Sequence, residues 1–312
     1  QNSFHDHEMH QTLRHLPRTV WAYLLFSLVR AGSQAAEVVF SKTGSISLAP
    51  SGPRGYLRSM CTVVTLRRPG HAWPLLIAAN RDEMIERAWS SPARHWAERA
   101  HVVAGRDEEA GGTWLALNDD GVAAAILNRY GSLGPAPDKR SRGELPLEAV
   151  DHAEAHVAAE ALAQLQPSSY KTFNLVIADA REAFWLRSDG SRIDMAPIPE
   201  GLSMITSSDL NDTAGSARIR FHKPLFEAAA PPDPDVRGAG DWSAWEACLA
   251  STDGVPGGDH GRAINIETDF GFGTVSSSLI ALPDPTRFGA QAQWRFCAGR
   301  PGSQPFAPVT LV

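Results

Sequence analysis

Cysteine is scarce: the 312-residue chain has three, Cys61, Cys248 and Cys297, set far apart. Such a set cannot build a disulfide framework or a zinc cluster, so no metal site is expected. A reducing, cytoplasmic setting suits these residues, with a periplasmic or secreted one less favoured. Long hydrophobic runs are missing as well. The apolar stretch at residues 20–29 holds ten residues, against the roughly 20 that cross a bilayer, so no integral membrane segment is expected. The chain has no G-x-S-x-G elbow, no P-loop and no C-x-x-C pair, which removes the usual serine-hydrolase, NTPase and thioredoxin signals. Gly271-Phe272-Gly273 lacks the third glycine of a dinucleotide loop and reads as the entry to a strand. Net positive charge is lacking too. The formal charge is -6, and residues 1–59 carry six Lys/Arg against three Asp/Glu, leaving 23 against 32 in the rest. An acidic body without a basic stripe argues against nucleic acid as a partner. What the chain does have is 43% hydrophobic residues, enough for a sizeable core.

Residues 1–59 differ in character from residues 60–312. The segment opens on Gln1 and is rich in Ser and in His (His5, His7, His10, His15). Arg14 and Arg18 precede its apolar stretch, and Ala31, Ala35 and Ala36 come after it, in the manner of a signal-like segment. The favoured reading is an upstream, non-native or disordered extension ahead of a start at Met60, with residues 60–312 as a single domain. His7-Glu8-Met9-His10 is one residue short of a zinc-protease spacing and is read as chance.

Beyond Met60 the pattern alternates short strands with a few helices. Residues 61–68 (CTVVTLRR) are β-branched and extended, Pro69-Gly70 marks a turn, and 75–79 reads as a buried strand ending at Asn80-Arg81-Asp82-Glu83. Residues 102–105, 113–117 and 122–127 are further strands, the last two joined at Asp120-Gly121 as a hairpin. One Ala- and Glu-rich helix is expected over 147–165, stopped by Pro167, and others over 218–230 and 242–250. Strands are expected at 173–178, 183–187, 272–282 and 293–297. The class is α+β, with helices packed on antiparallel sheets. The tryptophans from Trp73 onward read as core at any single position.

If translation starts at Met60, methionine removal exposes Cys61 as the first residue. A thiol and a free α-amino group then share one residue, and an amine titrating near ~8 can take the thiol proton without a histidine. A nearby Arg favours the thiolate, and a nearby carboxylate holds the amine. Arg81 and Asp82 supply both types, and a hairpin from 61 to 80 brings them back toward Cys61. The alternative is a buried first-strand cysteine beside a solvated turn.

Met60-Cys61 followed by Ala78-Ala79-Asn80-Arg81-Asp82-Glu83 resembles the opening of the NRDE family, the family of transport and Golgi organisation protein 2. The resemblance continues through Gly111-Gly112-Thr113-Trp114-Leu115, Leu127-Asn128-Arg129, Arg142-Gly143-Glu144-Leu145, Phe173-Asn174-Leu175, Phe272-Gly273-Thr274 and Ser277-Ser278. It implies an Ntn-hydrolase-like αββα sandwich, two antiparallel sheets between helical layers. More distantly the chain is similar to the choloylglycine hydrolase and penicillin V acylase group, whose N-terminal cysteine cleaves linear amides. Matched by position, Arg81 is implied to stabilise the thiolate, Asp82 to orient the amine, and Asn128 and Asn174 to donate to a tetrahedral oxyanion.

The acylases separate their Arg and Asp by two residues, whereas here they are adjacent. Adjacent side chains on a continuing strand point to opposite faces, so both reach Cys61 only if the strand ends at Asn80. Asn80 could otherwise take the inward place beside Asp82. A late basic residue of the acylases falls here on Val275. Arg142, with Glu144, is placed at the pocket mouth or in pairing at the start of the next helix. Ser277 and Ser278 are placed as ligand donors if their strand is central, or in strand pairing alone.

Three functions are compatible with these residues. The first is a cysteine amidohydrolase acting on a small amide or acyl substrate. The second is a non-enzymatic carrier of haem or of a lipid or acyl-CoA, which the resemblance implies, with haem as cargo and Cys61, His95 or His101 as its available axial ligands. The third is a secretory-pathway organising role, which the family name alone suggests.

Overall fold

A computed structural model describes residues 37–40, 46–49, 61–132, 136, 138–238, 240–253 and 262–311. The expectations for Met60, for the histidines before it and for the signal-like segment lie outside these residues. The chain divides into two compact units, Gln1–Arg54 and Gly55–Val312. In the first, strands β1 (Glu37–Phe40) and β2 (Ile46–Ala49) pair antiparallel.

The second unit is built on two antiparallel sheets. One has six strands: β3 (Thr62–Arg67), β4 (Leu75–Met84), β12 (Gly201–Ile205), β13 (Phe272–Leu282), β14 (Gln293–Cys297) and β15 (Phe306–Pro308), in the order β12-β3-β4-β13-β14-β15. The other has seven: β5 (Trp89–Ala93), β6 (Val102–Asp107), β7 (Leu115–Asn118), β8 (Ala123–Asn128), β9 (Phe173–Ala178), β10 (Ala183–Ser188) and β11 (Ile193–Pro197), in the order β11-β10-β9-β8-β7-β6-β5. Among the described residues are the helices α1 (Glu144–Ala149), α2 (Ala155–Ala163), α3 (Ala217–Ala228) and α4 (Ser243–Ala250).

Side-chain alternation separates three apolar layers. Leu75, Ile77 and Ala79 of β4 meet Leu115, Leu117, Ala125 and Val176 of the facing sheet, which forms the layer between the sheets. The alternate residues of the seven-stranded sheet, among them Ala104, Ala116, Ala124 and Ile177, pack under α1 and α2. Leu76, Ala78 and Leu279 of the six-stranded sheet pack under α3 and α4 with Phe226 and Trp245. The fold is therefore the αββα sandwich that the resemblance implied. Among the described residues no helix is long and apolar enough to cross a membrane.

The helix expected over 147–165 is two helices. Asn118 explains the break: its Nδ2 donates to the carbonyls of Val150 and His152, both at 2.8 Å, so these carbonyls leave the helical ladder. Asp179 then accepts from the N–H of Ala155 at the start of α2. The strand expected to stop at Ala79 runs five residues further, through Met84. That extension governs the site.

Candidate active site

Cys61 stands directly before β3 at the inner face of the six-stranded sheet, half-buried against the inter-sheet core. Its Sγ–H donates to the Asp82 carbonyl at 3.6 Å, and its sulfur accepts from the Asp82 N–H at 3.4 Å. The sulfur thus continues the β3–β4 ladder one step past the Thr62–Asn80 pair. Loss of water pushes the thiol up from 9.0 to about 12, with the Asp82 charge adding to the rise; the Asp82 N–H and the charge of Arg81 pull it down only in part.

Because β4 continues through the charged cluster, its alternation does too. Arg81 points between the sheets. Its guanidinium lies 4.2 Å over the Trp114 ring and 3.4 Å from an Asp107 carboxylate oxygen, while Nη1 is buried with no hydrogen-bond partner among the described residues. Trp114 can lie there because Gly105 has no side chain: a Cβ at that position would come within 2.3 Å of the indole.

Asp82 takes the opposite face. Its carboxylate is fully buried, bonded by Arg218 Nη1 of α3 at 3.0 Å and by the Thr274 hydroxyl at 2.6 Å; the same Arg218 nitrogen donates to Thr62 Oγ1 at 3.0 Å. Burial pushes this carboxyl up, against the pull of Arg218. Asp82 therefore meets Cys61 through its backbone, with its carboxylate turned to the helical side. The condition for the Arg81 and Asp82 side chains both to reach Cys61, a turn at Asn80, is not met, since β4 continues to Met84.

Asn80 shares the Asp82 face and is fully engaged. Its Nδ2 donates to the carbonyls of Leu249 (3.0 Å) and Ile264 (2.9 Å), and its Oδ1 accepts from the Ser277 hydroxyl at 2.5 Å. It is a brace between β4, the end of α4 and β13. Ser277 belongs to that brace, so its hydroxyl faces away from Cys61. β13 is central, as supposed, but the parity is the other one. Ser276 pairs directly with Arg81 and shares its inward face, Val275 being the extra residue of a bulge.

The two asparagines lie apart from the sulfur. Asn128 pairs with Phe173, which belongs to the layer under α1 and α2, so strand register gives it the face turned from Cys61. Asn174 is on the inner face, but both its Nδ2 hydrogens are taken, by the Thr206 carbonyl at 2.8 Å and the Ser208 carbonyl at 2.7 Å. Its Oδ1 accepts from Arg129 at 2.7 Å and from Trp185 at 3.1 Å. Asn174 therefore ties the two sheets together and has no donor to offer an oxyanion.

Arg142 is held near the loop that carries Trp114 and is not part of the lining of the cavity beside Cys61. Gly112 and Gly143 touch backbone to backbone: a Cβ on Gly112 would stand 2.5 Å from the Gly143 carbonyl carbon, and the Thr113 N–H donates to the Gly143 carbonyl at 2.9 Å. That contact sets Arg142 beside the Trp114 loop, where Nη1 donates to Ser132 Oγ at 2.8 Å and to the Thr172 carbonyl at 2.9 Å. Burial lowers the guanidinium to about 10, while the negative charge of an ionised Cys61 acts to raise it.

A cavity of ≈ 20 Å³ opens beside Cys61, lined among others by Arg81, Trp114, Ser276 and Ser278. That is room for about one water-sized group, and far too little for a porphyrin. Two of the lining polar atoms, Arg81 Nη1 and Ser276 Oγ, are buried and without partners among the described residues. A larger cavity of ≈ 380 Å³ lies by Leu282, which pairs with Leu75 at the far end of β4. The two histidine candidates for haem have local partners of their own. His95 Nε2 bonds the Ser91 carbonyl at 2.8 Å, and His101 Nε2 lies 3.8 Å from Asp151.

Sequence reasoning missed Ser276 and Arg218. Ser276 could have been found by carrying the two-residue alternation from Leu279 back through the bulge. Nothing in the local pattern at Arg218, inside an ordinary helix, signals its reach to Asp82.

The second unit is a four-layer αββα sandwich, with Cys61 just before β3 on the inner face of one sheet and Arg81 on the same face of the neighbouring strand. The model of the family Transport and Golgi organisation 2 matches residues 60–230, more than half of the chain, and the chain belongs to that family. No curated protein matches it. Among solved structures it is similar to a Caenorhabditis elegans orthologue of N-acylethanolamine-hydrolyzing acid amidase, with a TM-score of 0.49 and 13% identity over 72% of this chain and 94% of that one. It is also similar to two mutant forms of conjugated bile acid hydrolase from Clostridium perfringens. One gives a TM-score of 0.44 and 10% identity, covering 80% of this chain and 92% of that one. The other gives 0.41 and 9%, covering 80% and 96%.

Proposed function

We propose that this protein is a cysteine hydrolase of small amides or acyl compounds, active once the peptide bond before Cys61 is gone and its α-amino group is free. The observation that carries this reading is the position of Cys61: it lines a cavity in company with the buried Arg81, and Arg142, outside that lining, interacts electrostatically with an ionised sulfur. While its nitrogen is in a peptide bond the thiol is held near 12, and its hydrogen-bond partner among the described residues is the Asp82 main chain rather than a base. A free amine titrating near ~8 on the same residue supplies that base.

The amine takes the thiol proton, and the sulfur attacks the substrate carbonyl carbon. Collapse of the tetrahedral adduct breaks the C–N or C–O bond, and the leaving group departs with the proton from the ammonium. A thioester remains. Water, giving its proton to the same amine, attacks the thioester carbonyl and releases the acid with the thiol restored. Arg81 and Arg142 keep the sulfur's negative charge tolerable in a buried place. Asp82 acts through its main chain, which holds the sulfur at the end of the ladder.

The test is a chain beginning at Cys61 mixed with p-nitrophenyl butyrate. A burst of p-nitrophenol equal to the protein concentration, with a butyryl group on Cys61 and none in Cys61→Ala, is expected. A correctly folded chain with a free amino terminus and no acyl-Cys61 refutes the reading.

A further inference from the structure

We infer that Ser276, with Arg81, binds the carbonyl oxygen of the substrate acyl group and stabilises its oxyanion. This rests on the hydrolase reading given above. Three adjacent strands supply the geometry. Ser276 of β13 pairs with Arg81 of β4, and Cys61 precedes Thr62, the partner of Asn80, so it stands opposite Arg81. Cys61, Arg81 and Ser276 therefore form one row across the sheet, with neighbouring strands about 4.8 Å apart. All three border the same ≈ 20 Å³ cavity between the sheets.

The unpartnered atoms give the row its chemistry. A buried hydroxyl or guanidinium N–H without a partner costs about 1–3 kcal/mol, so such groups are rare unless something else fills the bond. Of the nine such atoms among the described residues, two are on directly paired residues that line this cavity: Ser276 Oγ, on a residue 1% exposed, and Arg81 Nη1, on a residue 6% exposed. The neighbouring Ser277 hydroxyl and Asn80 amide have every partner they need on the opposite face. Both Nδ2 hydrogens of Asn174 are likewise spent. Among the described residues, the buried donors without a partner that belong to this cavity's lining are thus a hydroxyl and a guanidinium, around a space the size of one oxygen atom.

In the acylation step the Cys61 sulfur forms its bond to the carbonyl carbon, and the C=O electron pair moves onto oxygen. Ser276 Oγ–H and Arg81 Nη1–H then donate to that oxygen. When the adduct collapses the pair returns to the carbonyl and the leaving group departs. The hydroxyl gives up no proton. Its bond is stronger to the oxyanion than to the ground-state carbonyl, so it acts on the rate more than on binding.

Two reagents separate this role from a structural one. Iodoacetamide alkylates Cys61 at a CH₂ and forms no oxyanion, whereas p-nitrophenyl acetate acylates it through one. Both are applied to the full-length chain at pH 9, where hydroxide ionises part of the thiol and no free amine is needed; peptide mapping by mass reads modification at residue 61. In Ser276→Ala, acylation should slow by about 10²–10³-fold, while alkylation stays within about twofold and the melting temperature does not fall, since the hydroxyl removed had no partner. Equal loss in both reactions, or a melting temperature lowered along with them, assigns Ser276 to packing or to thiolate formation and overturns the inference. Unchanged acylation in the variant overturns the donor role alone. Full-length wild-type protein that alkylates at Cys61 but takes no acetyl group overturns the donor role, while the hydrolase reading stands or falls separately with the chain beginning at Cys61.

Discussion

The sulfur of Cys61 should be chemically quiet while residues precede it and reactive once they are gone. In the longer chain its thiol is held near 12 rather than at 9.0, first by loss of water and then by the Asp82 charge. Three pH units reduce the thiolate fraction near neutral pH by ~10³-fold relative to an ordinary cysteine. A more basic thiolate is also a better nucleophile, and a Brønsted slope of about 0.4–0.5 returns ~10–30-fold of that loss. The net expectation is alkylation by iodoacetamide about 30–100-fold slower than in an unfolded chain of the same sequence, rising tenfold per pH unit up to about 12. In a chain beginning at Cys61 the α-ammonium stands beside the thiol, and its attraction should bring the break in the rate profile several pH units lower. Mass mapping over pH 7–11 separates Cys61 from Cys248 and Cys297, whose thiols are also raised by burial. Identical profiles in the two chains, or unfolded-like rates in the longer one, would show that the amine has no part in activating this sulfur. The same shift has a stability sign. The folded state keeps the proton that an unfolded chain loses near 9.0, so this contribution is complete below 9.0 and is lost as pH rises toward about 12.

Other substitutions test the supports. Asn80→Ala strands the Leu249 and Ile264 carbonyls and the Ser277 hydroxyl; at about 1 kcal/mol each, a loss of about 3 kcal/mol is expected in urea unfolding. Arg218→Met leaves the Asp82 carboxylate, with 0% of its side chain exposed, without its counter-ion, and should cost about 3–5 kcal/mol. Adding Asp82→Asn to it should restore part of that loss, and a double variant less stable than Arg218→Met contradicts the pairing. Gly112→Ala puts a Cβ against the Gly143 carbonyl, which no side-chain rotation relieves; a loss of about 1–3 kcal/mol is expected. The displaced Arg142 should also move the alkylation profile of Cys61 to higher pH, and an unmoved profile disconnects Arg142 from the sulfur.

Much of the fold was legible because its signals are local. The β-branched run at 61–68, the Asp120-Gly121 turn and the apolar 272–282 segment each specify a strand from a few neighbouring residues, and they correspond to β3, the β7–β8 hairpin and β13. β11 and β12 were missed, since their sequences, IDMAP and GLSMI, carry neither clean alternation nor a strong β-branched run. The single helix over 147–165 was broken by Asn118, which lies far off in sequence and so leaves no mark on the local pattern.

The site was legible in its residue types and not in its faces. Asn80-Arg81-Asp82-Glu83 has the composition of a turn, and polar residues inside a fully buried strand contradict the usual pattern. The strand continues because each inward or outward charge finds a partner from a remote element. Asn80 is met by Leu249, Ile264 and Ser277, Arg81 by Asp107 and Trp114, and Asp82 by Arg218 and Thr274. Once the strand is known to continue, parity decides the chemistry. Arg81 and Ser276 share the side of Cys61, while Asp82, Asn80 and Ser277 form the buried frame behind it. A one-residue error in register exchanges the two sets, since every side chain then changes face. Placing Ser277 instead of Ser276 at the cavity is that error, introduced by the bulge at Val275. The frame and the reacting row are therefore separable by mutation. Changes at Asn80 or Arg218 should act on stability first, and changes at Ser276 on rate with stability intact. If Ser276→Ala destabilised the protein as Asn80→Ala does, the assignment of faces along β13 would be wrong, and with it the choice of donors beside the sulfur.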